Sequence, residues 1–336
     1  MTWLTRIITV ARQSVQRAKP AHGVLLASLG TIVLVIGLSE DERPRSPDVA
    51  NRDQGIVAND PPIVLEPHLH EAEMVAVPEP DPVDLEAQEH PVITAGETFR
   101  ATGALAAEKL PIAIVIDDLG NNSKSLERVL EINQPLTLSF LSYANRLDDM
   151  TTKARDAGYE LLVHMPMEPL NFHFPKGSRT LRVGMTEDDL RSAVYWHLSR
   201  FDGFIGFNNH MGSKFTADPA GMQVVLEIAR DEGLMFLDSR TTSATVGRQI
   251  SEELGVPVIE RHVFLDNVAE VDAVLAQLKK AEAVARRDGH AVAIGHPHDA
   301  TLQALAIWTA NLNEFQVVPL SALVKPAPNP AEIAQN

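Results

Sequence analysis

Ile-Ala-Ile-Val-Ile-Asp-Asp, residues 112–118, joins five apolar residues to two adjacent carboxylates. Parallel strands place their carboxyl ends on one face of an α/β domain, where polar side chains can gather as a metal or acid-base site. The run at 136–141 lacks such a residue, since it ends only at Ser142 and Asn145. Six further apolar runs do stop at residues of catalytic type: 159–163 before His164, 204–207 before Asn208, Asn209 and His210, 234–237 before Asp238, 258–259 before Arg261, 263–265 before Asp266, and 291–294 before His296.

Helical segments separate these runs and make the alternation regular. Thr186 opens one helix in an approximate capping box, and Asp218 caps another before Pro219. Strand and helix alternate over residues 111–325, which predicts an α/β domain with a mainly parallel sheet. About seven β/α units in this length favour a small or incomplete (β/α) barrel, with a doubly wound open sheet as the alternative. Three helices are expected to close on a left-handed glycine, namely Gly158, Gly233 and Gly289.

The composition restricts what the chain can do. The 336 residues include no cysteine, which excludes disulfides, thiolate metal sites and a cysteine nucleophile. The formal net charge of −16 argues against nucleic acid as the main partner.

The N-terminal third predicts export across a membrane. Residues 1–22 are basic, residues 23–38 are almost wholly apolar, and three acids follow at positions 40–42. This order predicts a cytoplasmic basic segment and a transmembrane anchor in the inner membrane, with the soluble domain in the periplasm. A cleaved signal peptide and secretion to the periplasm are the alternative. Residues 39–110, rich in Pro and acids, predict a disordered tether, and residues 326–336 a flexible tail.

Asp117 and Asp118 are the strongest local candidates for chemistry. Two adjacent carboxylates beside a core are costly to bury unless they are paired or bound to a metal. One can ligate a cation while its neighbour accepts a proton, and helix capping is the alternative role. His164 and Glu168 are spaced for chelation only on a helical turn, which Pro166 disturbs. Glu168 is therefore a candidate ligand, a cap, or a residue that orients a ligand.

His210 follows the next strand and is a candidate metal ligand. Its neighbours Asn208 and Asn209 can bind substrate hydroxyl or amide groups, with loop capping as the alternative for the cluster.

His296 is a candidate general acid or base, because imidazole titrates near neutrality. Asp238 can orient that imidazole or contact substrate, and Arg261 can bind an anionic or carbonyl group. A structural salt bridge is the alternative for both of them.

These residues, in this order, resemble the polysaccharide deacetylase superfamily, and more closely its divergent branch of bacterial envelope proteins. The resemblance covers about residues 111–325. It implies a distorted, incomplete (β/α) barrel that removes acetyl groups from N-acetylated sugars with a divalent metal, often zinc.

The resemblance also implies individual roles. The superfamily opens with an Asp-Asp pair, in which Asp117 would be the base and Asp118 a metal ligand. Its two ligand histidines four residues apart are matched by His164 and, in place of the second, by Glu168.

Two later motifs differ more strongly from the superfamily pattern. Residues 208–212 replace the usual Arg-x-Pro-x-Gly motif, so His210 is the residue that would restore the missing imidazole. Residues 294–296 approximate the closing Leu-x-His motif, which implies that His296 is the acid. Asp238 falls where the family often has an acid that tunes this histidine.

The sequence therefore predicts a membrane-anchored, metal-dependent deacetylase-like hydrolase that acts on an N-acetylated envelope polysaccharide, with zinc or a similar cation. The alternative is a catalytically inactive glycan- or protein-binding envelope module on the same fold, which the replacement of the second histidine favours. Metal-dependent phosphoester hydrolysis is a weaker third hypothesis, because the resemblance points to amide chemistry.

Overall fold

The structure, a computed structural model, describes residues 108–171 and 179–324. The expected basic segment, membrane anchor and tail lie outside these residues, as does the tether apart from its last three positions. Within the described ranges, no helix is both long and apolar enough to cross a membrane.

Nine strands of the described chain form one sheet, and every pairing in it is parallel. The strands are β1 (Leu110–Leu119), β2 (Thr137–Leu141), β3 (Glu160–Met167), β4 (Gly206–Met211), β5 (Met235–Asp238), β6 (Val258–Glu260), β7 (Val263–Phe264), β8 (Ala291–Gly295) and β9 (Phe315–Val318).

Seven α-helices of the described chain connect these strands. They are α1 (Ser123–Leu130), α2 (Leu147–Asp156), α3 (Glu187–Leu198), α4 (Pro219–Asp231), α5 (Gly247–Leu254), α6 (Val271–Asp288) and α7 (Asp299–Thr309). Short 3-10 turns occupy Phe215–Ala217 and Leu320–Leu323.

The predicted helix boundaries are confirmed by their capping bonds. Thr186 Oγ1 accepts a hydrogen bond from the Asp189 backbone at 3.2 Å, and Asp218 Oδ2 accepts one from the Gly221 backbone at 3.1 Å. All three predicted closing glycines have the left-handed conformation, with φ of +84° at Gly158, +67° at Gly233 and +84° at Gly289.

The strand order is β6-β5-β4-β3-β2-β1-β8-β7, and β9 pairs with the first half of β1. The edge strands β6 and β7 are separated along the chain by only Arg261 and His262. The backbone N–H of Arg261 bonds to Asp238 on one side, and that of His262 bonds to Val292 on the other, each at 2.9 Å. The sheet therefore curls into an incomplete barrel, as predicted, rather than a doubly wound open sheet. It has nine strands instead of about seven, because β6 and β7 follow each other without a helix and β9 adds a last strand.

Side chains of β1 alternate between two apolar layers. Ile112, Ile114 and Ile116 pack outward in the cluster shared with the helices, whereas Ala113 and Val115 belong to the cluster inside the barrel. Because successive residues of a strand point to opposite faces, the position that continues the inner set beyond Val115 is 117. The same alternation decides which polar residue at each strand end faces the barrel mouth. The other members of the inner cluster are Leu162, Met235, Leu237, Ile259, Val292, Ile294, Val318 and Leu320.

Candidate metal centre

A bulge at the end of β1 brings two consecutive carboxylates to the same site. The register between β1 and β2 shifts between Ile116 and Leu119, and Asp118 has a left-handed φ of +58°. In a regular strand Asp118 would point away from Asp117, and the bulge removes that alternation. Asp tolerates the left-handed region better than most residues, and such strained positions cluster at functional sites.

Three potential ligand atoms converge at Asp118. His164 Nε2 lies 3.2 Å from Asp118 Oδ1, His210 Nδ1 lies 3.0 Å from the same oxygen, and the two nitrogens are 3.2 Å apart. Tetrahedral zinc with bonds of about 2.0–2.1 Å holds neighbouring ligand atoms about 3.3 Å apart. The structure thus brings the three predicted ligands together at the spacing that one such cation requires.

The oxygen at the centre of this group lacks a hydrogen bond. Asp118 Oδ1 is buried and accepts none from any described residue, although two imidazole nitrogens lie within 3.2 Å. An unpaired buried polar atom costs about 1–3 kcal/mol, more when it is charged. A cation held by these three atoms would remove that cost. One carboxylate and two imidazoles, with open positions beside them, suit zinc or a similar borderline cation.

Charge and burial shift the pKa values of these ligands in opposite directions. Burial raises the pKa of Asp118, but the charges of His210 and His296 outweigh it and hold this pKa well below its usual range. Burial lowers the pKa of His164, but Asp117 and Asp118 outweigh it, so the net shift is upward. The two carboxylates therefore stabilise positive charge at the site, either as protons on the imidazoles or as a bound metal ion.

Asp117 lies beside the ligand group and is itself buried. Asn208 Nδ2 donates to both of its oxygens, at 3.0 and 3.1 Å, and His164 Nε2 lies 3.6 Å from Oδ2. Burial raises the pKa of Asp117 above that of a free Asp, even against the charges of His164 and His296. A raised pKa makes this carboxylate a stronger base.

His296 faces the site from β8 and is held by Asp266, a role that the sequence analysis did not assign. Asp266 Oδ1 lies 3.0 Å from His296 Nδ1, and Oδ2 accepts from the His296 backbone N–H at 2.6 Å and from Thr301 at 2.7 Å. Burial lowers the pKa of His296, but Asp118 and Asp266 outweigh it and raise this pKa to about 10. His296 Nε2 lies 3.6 Å from Asp118 Oδ2, which places its proton beside the ligand group.

The positioning role predicted for Asp238 needs correction. Asp238 Oδ1 accepts from the Arg240 backbone at 2.8 Å, and Oδ2 accepts from Thr245 at 2.7 Å. Leu237 belongs to the inner cluster and Phe236 to the outer one, so Asp238 falls on the helix side of β5. It secures the loop after β5, and Asp266 is the carboxylate at His296.

Glu168 does not join the ligand group either. Its Oε1 pairs with Lys214 Nζ at 2.7 Å, and its Oε2 accepts from the Val183 backbone at 2.9 Å. His164 belongs to strand β3, and four residues of extended chain span about 13 Å, so the spacing that suits chelation on a helix separates these side chains.

The two asparagines predicted to bind substrate are fully used inside the protein. Asn208 is completely buried, and Asn209 is 1% exposed. Asn209 Oδ1 accepts from the Ser239 backbone at 2.9 Å, and its Nδ2 donates to the Met211 carbonyl at 2.6 Å. Neither amide is free to contact a ligand, because a strand this deep in the sheet must satisfy its polar groups internally.

Arg261 lies next to the site and holds the loop after β5 through hydrogen bonds. Its Nε donates to the Ser239 carbonyl at 2.7 Å, its Nη2 to the Arg240 carbonyl at 2.8 Å, and its guanidinium lies over the Phe264 ring. Burial lowers the pKa of Arg261 to about 10, which leaves it charged at neutral pH. A substrate contact through its remaining nitrogen stays a prediction.

Tyr143 is a further neighbour that the sequence analysis missed. Its ring meets that of His210 edge-on, with centroids 6.3 Å apart. Burial raises the pKa of Tyr143, and the charge of Asp118 adds to the shift, so the phenol keeps its proton. Tyr143 follows the one apolar run that had seemed to lack a residue of catalytic type.

Comparisons with known proteins agree with this fold. The family model described as divergent polysaccharide deacetylase matches residues 114–324. The uncharacterized protein YibQ of Escherichia coli is 37% identical over 216 residues, which cover 64% of this chain and 67% of that protein. An uncharacterized protein of Haemophilus influenzae is 35% identical over 204 residues, covering 60% and 72% respectively. The crystal structure of an uncharacterized protein from Agrobacterium tumefaciens superposes with a TM-score of 0.63 at 25% identity, covering 66% of this chain and 92% of that one.

Proposed function

Because this chain belongs to the divergent polysaccharide deacetylase family, we propose that its barrel is a metal-dependent deacetylase acting on an N-acetylated envelope polysaccharide. The observation that carries the proposal is the triangle of Asp118 Oδ1, His164 Nε2 and His210 Nδ1. Asp117 on β1 and His296 directly after the paired strand β8 both lie within 3.6 Å of an atom of His164 or Asp118, so a base and an acid are available beside this triangle.

The cofactor would be zinc or a similar divalent cation held by Asp118, His164 and His210. When bound, such a cation supplies Lewis acidity towards the acetyl carbonyl and lowers the pKa of water beside it.

Two side chains would move the protons. Asp117, which is buried and has a raised pKa, takes a proton from the attacking water while the oxygen of that water bonds to the acetyl carbon. His296, kept protonated by its acidic neighbours, gives a proton to the sugar nitrogen as the C–N bond breaks. The products are acetate and a free amine, and the atoms balance with one water consumed.

The test combines metal content with acetate release. Purified protein is analysed for bound metal, loaded with zinc, and assayed for acetate release from chitooligosaccharides and from peptidoglycan. Asp117→Asn should keep its zinc and lose at least about 100-fold in kcat, because a general base contributes about 10²–10⁴-fold. Asp299→Asn is the matched control, since that carboxylate is exposed and pairs with Arg128.

Two results would refute the proposal. One is acetate release that Asp117→Asn leaves unchanged. The other is a zinc-loaded protein that binds these glycans but releases no acetate, which would favour the inactive binding module on the same fold.

We also propose that residues 23–38 anchor the protein in the inner membrane and place the barrel in the periplasm. The supporting pattern is the basic segment before this stretch and the acidic residues after it. Expression of the full chain followed by membrane fractionation tests it. Recovery in the soluble periplasmic fraction with a shortened N-terminus would instead indicate a cleaved signal peptide.

A further inference from the structure

Asn208 joins a predicted metal ligand to the predicted base through one buried amide. Its Oδ1 lies 2.9 Å from His164 Nδ1 and accepts from Ser139 Oγ at 2.6 Å. Its Nδ2 donates to both oxygens of Asp117, at 3.0 and 3.1 Å, and to Ser239 Oγ at 3.1 Å. The side chain is completely buried, so water does not compete for these bonds.

The chemistry of the neighbours decides how this amide is oriented. An ionised carboxylate only accepts hydrogen bonds, so the NH₂ group of Asn208 must face Asp117. The amide oxygen then faces His164 Nδ1, and an oxygen can only accept there. The neutral ring of His164 must therefore carry its proton on Nδ1, which leaves the lone pair of Nε2 directed at Asp118 and His210.

We propose that Asn208 is a positioning residue that sets the proton on His164 and the orientation of Asp117 at the same time. A flipped amide would put its oxygen against the Asp117 carboxylate, and its NH₂ would donate to Nδ1 and leave the proton of the neutral ring on Nε2, so only the observed orientation suits both Asp117 and a metal-binding Nε2. The ligand nitrogen and the base are therefore prepared together, before any metal or substrate arrives. The part that concerns Asp117 rests on the proposed function, whereas the part that concerns His164 does not.

The test compares three variants with the parent. Asn208→Leu keeps the size of the side chain and removes all its hydrogen bonds. Asn208→Asp keeps an oxygen opposite His164 Nδ1 and replaces the NH₂ group that faces Asp117 by a second oxygen, so it tests the His164 part alone. Ser239→Ala is the matched control, because it removes one bond from the same amide and leaves His164 and Asp117 in place.

The first two readouts need no catalysis. The zinc dissociation constant is measured by competition with a chelating dye, and the tautomer of His164 is read from ¹⁵N NMR of the metal-free protein at a pH at which this ring is neutral. Asn208→Leu should bind zinc about 10–100-fold more weakly and lose the pure Nδ1–H form, because removing an outer-shell partner has effects of this size. Asn208→Asp should bind zinc at least as tightly as the parent and keep Nδ1–H, and Ser239→Ala should stay within about threefold of the parent.

The third readout addresses Asp117. With zinc saturating, Asn208→Leu should lower kcat and leave KM nearly unchanged, since the base is misaligned while the substrate cleft is intact.

The inference is overturned if Asn208→Leu keeps both the parental zinc affinity and the Nδ1–H form. If that variant fails to fold, Asn208→Asp decides alone: a loss of Nδ1–H, or zinc binding more than about tenfold weaker, contradicts the inference. If the parent binds zinc and releases no acetate, the proposed function is wrong. The His164 tautomer and the zinc affinities of the Asn208 variants would still decide the role of Asn208 at His164.

Discussion

Replacing Asp266 by asparagine should lower the pKa of His296 and move its proton to the other ring nitrogen. In the parent, Asp266 Oδ2 is held by two donors, the His296 backbone N–H and the Thr301 hydroxyl, while Oδ1 faces His296 Nδ1. In the variant, we expect the amide oxygen of the new side chain to occupy the position of Oδ2, where it accepts from both donors. The NH₂ group of the same amide then faces His296 Nδ1. The neutral imidazole must then accept at Nδ1 and carry its proton on Nε2.

The size of the shift follows from the bond that is lost. A hydrogen bond to a charged group contributes about 1.5–3 kcal/mol, and one pKa unit corresponds to about 1.36 kcal/mol. The pKa of His296, about 10 in the parent, should therefore fall by about 1–2 units. Asp118, 3.6 Å from Nε2, remains and keeps the pKa above that of free histidine.

Protonated His296 stabilises the folded protein, and this contribution depends on pH. Because the pKa of His296 rises on folding from 6.5 to about 10, its protonation stabilises the parent fully below pH 6.5, and this stability is lost as pH rises through about 10. In Asp266→Asn the same loss should begin about 1–2 pH units lower. At pH 9, the protonated fraction should fall from about 0.9 to as little as about 0.1, whereas near pH 7 it should stay above about 0.9.

NMR of the metal-free protein measures both effects. The His296 resonances are followed from about pH 6 to pH 11, and the ¹⁵N shifts of the neutral ring report which nitrogen carries the proton. Asp299→Asn is the control, because Asp299 is exposed at the start of α7 and pairs with Arg128. A His296 midpoint in Asp266→Asn within about 0.3 pH units of the parent would contradict the predicted shift, and a neutral ring with its proton still on Nδ1 would contradict the predicted tautomer.

Three other substitutions test separate parts of the structure. Glu168→Gln should leave the zinc dissociation constant within about twofold of the parent, since Glu168 pairs with Lys214 outside the ligand group; tenfold weaker zinc binding would restore it as a ligand. Gly206→Ala should lower the free energy of unfolding in urea by about 3 kcal/mol or more, because the added Cβ would lie 2.2 Å from the Met235 carbonyl oxygen; an unchanged urea midpoint would contradict this. Burial raises the pKa of Glu160, so its folded pKa exceeds its unfolded one and stability is lost as pH rises through it. Glu160→Gln stays neutral and should gain in urea stability over the parent as pH rises from about 4 to 8, and a constant difference would exclude the effect.

Much of the barrel could be predicted because its signals are local or periodic. Thr186 marks the start of its helix through a hydrogen bond with a residue three positions away, and Gly289 marks the end of its helix through its own left-handed backbone angle. Both signals are local, so they do not depend on the rest of the fold. Asp117, His164 and His210 were identified because each follows an apolar run, and all three lie in the second half of their strands. Parallel strands bring their carboxyl ends to one face whatever their order in the sheet.

The errors arose where a choice depended on which face of a strand a residue occupies. Asp238 and Asp266 both follow short apolar runs, and only the alternation within each folded strand sends Asp266 to His296 and Asp238 to the helix side. Glu168 was placed beside His164 by a spacing that holds on a helix and fails on β3.

Short segments of the chain are enough to predict the kind of fold and the chemical types at the barrel mouth, because apolar runs and helix caps are local properties. The partner of each site residue depends instead on how the strands are arranged in the folded protein. The tertiary structure places β4 beside β3, so that His210 and Asn208 meet His164, and β8 beside β1, so that His296 meets Asp118. These contacts join residues 44 to 178 positions apart, and such neighbours depend on strand order and on one bulge at Asp118 that no local pattern encodes.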